Sequence, residues 1–465
     1  MGIAGIFLSL GLLMILAYRG VNVIVLAPVL AMLAVACDGG SPLLANYTQV
    51  FMPAVGRFIA NYLPLFMLGA IFGKLLEETG CTAAIARRMV DLLGAHRALL
   101  AIVLSSAILT YGGVSVFVVV FAVYPLAVAL LRRADIPKRL LPGAIALGAA
   151  TFTMTTLPGT LQVHNLIPMK FFGTTAFAAP LLGIIGSALM LGLGMAWLSF
   201  RARLAARASE GYGAASGEVP AAAERGALPP FAIAILPIVA VVALNFLFTE
   251  FVIRRWDTSY LAEPRFGATT VENLRGVWAT ILAMVSATAL LAILRIRSLA
   301  RLNDALSAGA TSALLPILTT ASEVGYGATI AGLSGFAAIK QEVLGIVPSN
   351  PLVSEAVCIN LLAGITGSAS GGLTIALETL GPTYLERGLA SGISPDLLHR
   401  VAAMSSCGLD TLPHNGAVIT LLLACGLTHR TSYLDIFAVS VVGPILATVL
   451  VVALGTFFPG LVLPG

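Results

Sequence analysis

The chain has 465 residues, of which 58% are hydrophobic and 10% charged, with a formal net charge of +5 and a mean hydropathy of +0.99. Soluble domains carry about 25% charged residues, so this composition excludes a soluble protein and asks for a bilayer as solvent. The positive charge does not indicate nucleic acid, because the basic residues stand at the ends of apolar runs and form no single patch, which is the orientation signal of membrane helices.

Apolar runs of about 18 residues or more, enough to cross roughly 30 Å of hydrocarbon, recur along the whole chain. Only helices satisfy their own backbone over such lengths, and Leu/Ala/Val-rich runs without strict alternation argue against an outer-membrane barrel. Predicted helices span 2–18, 21–37 and 54–76; the first lacks the basic n-region and cleavage site of a signal peptide and reads as a spanning helix. A polar amphipathic stretch at 78–97 leads to an apolar stretch at about 98–131. That stretch is too long for one helix and carries Tyr111-Gly112-Gly113 near its middle. Two half-helices meeting at a tip, a re-entrant hairpin, explain it. A broken helix follows at about 138–173, interrupted around Pro158-Gly159, and then a helix at 177–200. Residues 201–228, rich in Ala, Arg, Glu, Gly and Ser, read as a cytoplasmic linker.

The second half repeats the order. Helices are predicted at 229–251, 276–297 and 308–338, a hairpin at about 352–387 around Ser370-Gly371-Gly372, a broken helix at about 396–428, and a last helix at 433–458. The punctuation recurs in kind: Gly112-Gly113-Val114-Ser115 answers Gly371-Gly372-Leu373-Thr374, Thr156-Leu157-Pro158 answers Thr411-Leu412-Pro413, and Leu63-Pro64 answers Leu315-Pro316. The fold class expected is therefore an all-α polytopic membrane protein with two repeats, 1–200 and 229–465, each holding a re-entrant hairpin and a broken transmembrane helix. A hairpin that returns to its own side leaves each half an odd number of crossings, so the second repeat is inverted in the membrane.

Charge sets the orientation. The side receiving Arg19, Arg87, Arg88, Arg97, Arg132, Arg133, Lys138, Arg139, Arg201, Arg203, Arg207, Arg225, Arg295, Arg297, Arg301 and Arg430 is far richer in basic residues than the side with mainly Arg254, Arg255, Arg265, Arg275, Lys340, Arg387 and Arg400. The positive-inside rule makes the first side cytoplasmic and puts both termini outside.

Paired interruptions in the two halves of a membrane protein point to a transporter binding site. Half-helices that end near the midplane present unpaired N–H groups and the positive end of a macrodipole, a ready anion site. The first hairpin offers Tyr111, Gly112, Gly113 and Ser115, and the first break Thr156, Gly159 and Thr160. The second hairpin offers Ser368, Ser370, Gly371 and Gly372, and the second break Thr411, Asn415 and Gly416. Such residues also serve close helix packing; their occurrence in symmetric pairs favours binding. The set forms a small polar site without a fixed cation.

Asp410 and His414 have no equivalents in the first half. An ionisable residue deep in a span is a functional candidate by default, and His titrates near neutrality, so this pair is the expected place of proton coupling. The competing role is structural, with Asp410 capping a half-helix and His414 hydrogen-bonded in the core. Glu323, Glu378, His164 and Asn165 are weaker intramembrane candidates. The five cysteines are odd in number and lack metal-like spacing, so they read as packing residues. The chain has no HExxH helix, no nucleotide-binding glycine loop and no GxSxG elbow, so no enzyme is expected, and no cofactor beyond a coupling proton, with sodium the alternative.

At these residues the chain resembles the GntP family of gluconate and hydroxy-acid permeases, in its D-β-hydroxybutyrate permease branch. The resemblance rests on Gly112-Gly113-Val114-Ser115, Thr156-Leu157-Pro158-Gly159-Thr160, Gly408-Leu409-Asp410-Thr411-Leu412-Pro413-His414-Asn415-Gly416-Ala417, and the third helix from Leu63-Pro64 to Gly73-Lys74. It covers most of the chain outside 201–228 and 252–275. It implies a scaffold domain in a homodimer, a transport domain of hairpins and broken helices moving as an elevator, and proton-coupled uptake of a small organic acid at the bacterial inner membrane. The gluconate branch carries a Pro-Pro-His-Pro-type run where Thr155 to Thr160 stand here, which favours a short hydroxy monocarboxylate such as 3-hydroxybutyrate. The alternatives are a gluconate or dicarboxylate symporter of the same fold and, from another class, a passive anion channel.

Overall fold

The computed structural model describes residues 2–19, 21–213, 228–295, 302–413 and 415–463, and among them there are helices and turns but no strand. Leu-, Ala- and Val-rich runs close their backbone hydrogen bonds internally, and the chain turns where Gly, Pro or a capping hydroxyl breaks the run. The first series is α1 (Gly2–Tyr18), α2 (Val23–Cys37), α3 (Leu43–Glu78) and the amphipathic α4 (Cys81–Leu93). A helical pair follows, α5 (Ala98–Tyr111) and α6 (Val116–Arg133), then α7 (Leu141–Ala149), a single turn at Phe152–Thr155, α8 (Val163–Phe172) and α9 (Pro180–Arg207). Of the linker expected at 201–228, the first residues continue α9, and 214–227 lie outside the described residues.

The second series has the same order: α10 (Phe231–Arg255), α11 (Val271–Arg295), α12 (Leu302–Ala331) and a short connector α13 (Ser334–Gly345). The pair α14 (Pro351–Thr366) and α15 (Ala369–Ala390) precedes α16 (Pro395–Ser405), α17 (Gly416–Ala424) and α18 (His429–Phe457). The helix expected at 308–338 is thus divided, because Gly332 and Leu333 end α12 and turn the chain into α13. Six helices among the described residues are long and apolar enough to cross a membrane, and a seventh is counted if α4 and α5, bent by 104°, form one span.

The packing is reciprocal. Helix α2 packs on α12 and α11 on α3; α1 packs on α13 and α10 on α4; α6 packs on α17 and α15 on α8. Each of these contacts between the halves therefore has a partner in which the roles are exchanged. Two apolar cores follow. One gathers α1, α2 and α12 around the pair α14/α15, with Tyr326, Leu373, Leu377 and Tyr384 inside it. The other gathers α4, α7 and α10 around the pair α5/α6, with Leu109, Val119 and Ile238. Large apolar side chains such as Phe7, Val29, Ile293 and Leu423 face outward, as a lipid-facing surface requires.

Backbones approach very closely within the second helical pair and between α5 and α7. A β-carbon on Gly372 would strike the backbone of Ala363 in the facing arm, and one on Gly148 would strike the Val103 carbonyl of α5. Gly113 (φ +89°) and Gly159 (φ +79°) take left-handed conformations that other residues adopt only with strain. They set the tip of the first pair and the break between α7 and α8.

Candidate functional site

The second helical pair turns at Gly367 and Ser368, and Ser368 caps α15 by accepting from the Gly371 N–H at 3.1 Å. Asp410, in the break between α16 and α17, accepts from the Ala369 N–H at 3.1 Å. Asn415 then joins break and tip. Its Nδ2 donates to Asp410 Oδ1 at 2.7 Å and to the Gly367 carbonyl at 2.9 Å, while its Oδ1 accepts from the Val418 N–H and caps α17. Asp410 and Asn415 are each 5% exposed, so this network sits out of solvent.

Helix α12 closes the other side of that tip. Thr320 and Ser370 hydroxyls lie 3.2 Å apart. The Glu323 carboxylate occupies the space that a β-carbon on Gly371 would fill; it is 2% exposed, and its Oε2 has no hydrogen-bond partner. Among the described residues neither Asp410 nor Glu323 makes an ion pair. The N-terminus of α15, where an anion was expected, is thus already met by two carboxylates of the protein itself.

The first tip is built differently. The Tyr111 hydroxyl donates to the Pro158 carbonyl at 2.7 Å, and Gln162 Nε2 donates to the Thr110 carbonyl at 2.7 Å and that of Val114 at 3.2 Å. These bonds tie the tip to the first break. Ser115 precedes α6 but makes no side-chain capping bond, unlike Ser368, and no acidic residue stands in the helix's first turn, so the leading N–H groups of this 18-residue helix keep their positive end without a cap of their own. Val116, the first residue of α6, lines a cavity of about 50 Å³ together with Ala150, Met154, Asp410, Thr411 and Asn415. The first tip and the two breaks meet at this cavity, and Asn415 carries the connection on to the second tip.

Several expected residues spend their hydroxyls internally. Thr160 donates to the Thr153 carbonyl at 2.6 Å, Thr156 meets Thr155 and the Met190 sulfur, and Thr411 pairs with Ser440 at 2.7 Å. Gly112 packs against Ile238 and Gly416 opens α17. Glu378 is exposed. His414 lies outside the described residues.

The site does contain a fixed cation nearby, contrary to the sequence reading. Arg400, assigned there to the outward surface, is fully buried on α16. Its guanidinium donates to the Ala178 carbonyl (3.1 and 2.7 Å), the Thr155 carbonyl (3.1 Å) and Asn165 Oδ1 (2.9 Å). Asn165 Nδ2 in turn holds the carbonyls of Thr160 and Ala176, and His399 bridges Asn165 and Thr174. Arg400 therefore fastens the second broken helix to the backbone of the first break. The signal was present in the sequence: Leu397-Leu398-His399-Arg400-Val401-Ala402 places the charge within an apolar run.

A larger cavity of about 530 Å³ lies between α5, the Phe152–Thr155 turn and α10. Its walls, including Leu104, Ile108, Phe152 and Ile238, are apolar and offer an anion nothing to hold.

Comparison with known proteins adds a family. A model described as citrate transporter (CitMHS) matches residues 11–464. The chain is 45% identical over 451 residues to the uncharacterized transporter YxjC of Bacillus subtilis strain 168, covering 94% of this chain and 95% of the relative. A transporter of Haemophilus influenzae Rd, also described as uncharacterized, is 32% identical over 122 residues, 26% of this chain and 29% of that one. The crystal structure of the YdaH transporter of Alcanivorax borkumensis, described as having an unusual topology, aligns with a TM-score of 0.56 at 13% identity, covering 88% of this chain and 89% of that one. This last likeness shows the fold alone. The family match corrects the resemblance to the GntP family. The motifs quoted for it are what any hairpin tip and broken helix need, small residues for close approach and Pro for a missing donor, and they do not separate one such family from another.

Proposed function

The chain belongs to the citrate transporter family, and from that premise we propose that it is a secondary active transporter importing a citrate-type organic anion with protons across the bacterial inner membrane. The expectation of 3-hydroxybutyrate rested on the GntP resemblance and loses its support with it. The observation that carries the reading is the contrast between the two tips. The first leaves the positive end of α6 beside the cavity, and the second confronts α15 with Asp410 and Glu323. A substrate carboxylate is drawn to the first and repelled by an ionised pair at the second. Neutralising that pair with protons, or with sodium, removes the repulsion and ties the anion's entry to the coupling ion.

The cavity of about 50 Å³ is far below the roughly 300–1,000 Å³ of small-molecule sites, so loading requires the tips to separate from their neighbours. Reciprocal packing between the halves supports two inverted repeats, 1–200 and 229–465, with both termini outside. In this arrangement the hairpins and broken helices carry the site against a scaffold of α1 to α3 and α10 to α12, in a homodimer.

Proteoliposomes test the function directly. Purified protein should exchange labelled citrate by counterflow and concentrate it under an inward proton gradient; a passive channel equilibrates citrate without concentrating it. Asp410→Asn should keep exchange and lose the gradient-driven accumulation, whereas Asn415→Ala, which unties both tip and break, should lose both in a protein that still purifies as a folded species. Absence of citrate counterflow in the wild type, or proton-driven accumulation undiminished in Asp410→Asn, would defeat the proposal. Accumulation that follows a sodium gradient instead assigns the coupling ion.

A further inference from the structure

Away from the tips, α14 carries a further buried carboxylate that nothing above uses. Glu355 is 0% exposed, and neither of its oxygens has a hydrogen-bond partner. Its own helix brings Cys358 and Ser354 near it, and α15 brings Tyr384, whose hydroxyl lies 3.4 Å from that of Ser354. The elements packed on α14 are α15 with Glu378, Glu386 and Arg387, α1 and the Gly443–Phe457 part of α18, which carry no charged side chain, α13 with Lys340 and Glu342, and α16 with Asp396, His399 and Arg400. An ionised carboxylate with neither donor nor cation is not sustained in such a place. A carboxylic acid is.

The route to it is short. At the base of the hairpin a polar cavity of about 280 Å³ is lined by Asn350, Ser391, Ser394 and Thr456. Asn350 caps α14 there, and Glu355 stands about 7.5 Å further along the helix. The C-terminal end of α13 covers this interval: the Val343 carbonyl accepts from Ser354 at 2.7 Å and the Leu344 carbonyl from Arg387 at 2.9 Å. Two hydrogen bonds thus latch the end of a short helix onto both arms of the hairpin, one of them at the residue next to Glu355.

We propose that Glu355 is a second proton-carrying residue of the transport cycle, loaded from the cavity at the base of the hairpin and separate from the carboxylates at its tip. The step is a reversible protonation: the carboxylate takes one proton from water at the cavity when the α13 latch opens, holds it as the neutral acid while enclosed, and returns it when the hairpin next meets water. This rests on the proton-coupled reading above, and its test separates the two. In infrared difference spectra of purified protein, wild type minus Glu355→Gln should show the C=O stretch of a protonated carboxylic acid, and that band should fade as the pH of a substrate-turning-over sample is raised. In proteoliposomes Glu355→Gln should keep counterflow within about twofold, while maximal accumulation falls about tenfold per pH unit of gradient for the proton lost; Glu355→Asp should recover part of it. A missing band, a band that no condition moves, or undiminished accumulation in Glu355→Gln would overturn the proposal. Failure of the wild type to take up citrate defeats the transport reading, while the infrared band still decides the state of Glu355.

Discussion

Arg400 shows how much one side chain can organise. Its donors are shared among the carbonyls of Thr155 and Ala178 and the Asn165 side chain, all neutral acceptors. A buried guanidinium held only by neutral acceptors is stabilised by geometry, through its planar fork. Arg400→Ala should leave those carbonyls unpaired, at roughly 1–3 kcal/mol for each, and should lower the thermal unfolding temperature in detergent far more than Arg400→Lys, which keeps the charge and reaches fewer acceptors. Equal melting of the two variants would mean that the carbonyl network contributes little. The residue also marks the limit of sequence reading. Asp410 and Asn415 were legible because the Gly408 to Gly416 run is a long interruption in an apolar span. Arg400 was misplaced although it stands within the apolar run Leu397 to Ala402, because an Arg one turn inside a helix looks like an interfacial residue until α8 and α9 are seen to pack over it. Glu355 stood unremarked between Ser354 and Ala356 for a related reason: its isolation is a property of the neighbouring helices.

At the scale of elements, the two helical pairs look alike in sequence and differ in chemistry. Both turn on small residues, and the Gly-Gly pairs announced where. Yet Gly112 and Gly113 sit in the turn between α5 and α6, whereas Gly371 and Gly372 lie within the first turn of α15. That shift of register is why a β-carbon on Gly372 meets rigid backbone, whereas one on Gly112 meets only the Ile238 side chain. Gly372→Ala would drive a β-carbon into the Ala363 backbone, while Gly371→Ala would meet the far end of the flexible Glu323 side chain. Overpacking against rigid backbone costs about 1–3 kcal/mol. Gly372→Ala should therefore melt earlier than wild type, and Gly371→Ala should stay folded while its uptake falls, because Glu323 is displaced from the tip. The reverse order of melting temperatures would contradict the assignment of these roles. Composition made the helices legible and the glycines made the turns legible; that the second turn, and not the first, meets the Glu323 carboxylate depends on α12, far away in sequence.

For the whole molecule, the reciprocal packing has a mechanical consequence. Helix α12 belongs to the proposed scaffold and α15 to the proposed moving part, and they meet through Thr320 and Ser370, 3.2 Å between hydroxyls. If the hairpins and broken helices carry substrate by sliding past the scaffold, this contact must break in each cycle. Sulfurs on the same two carbons would stand close to disulfide geometry. The native cysteines Cys37, Cys81, Cys358, Cys407 and Cys425 are all unpaired and should be replaced first. In that background Thr320→Cys with Ser370→Cys should exchange citrate when reduced, stop when oxidised, and resume on reduction, since a covalent bond pins the second tip to α12. Each single variant should be indifferent to oxidation, which separates the bond from the loss of a hydroxyl at the site. Counterflow at the reduced rate in a protein whose disulfide is complete would mean that the tip and α12 travel together, and the boundary between scaffold and moving part would then have to be drawn on the other side of α12.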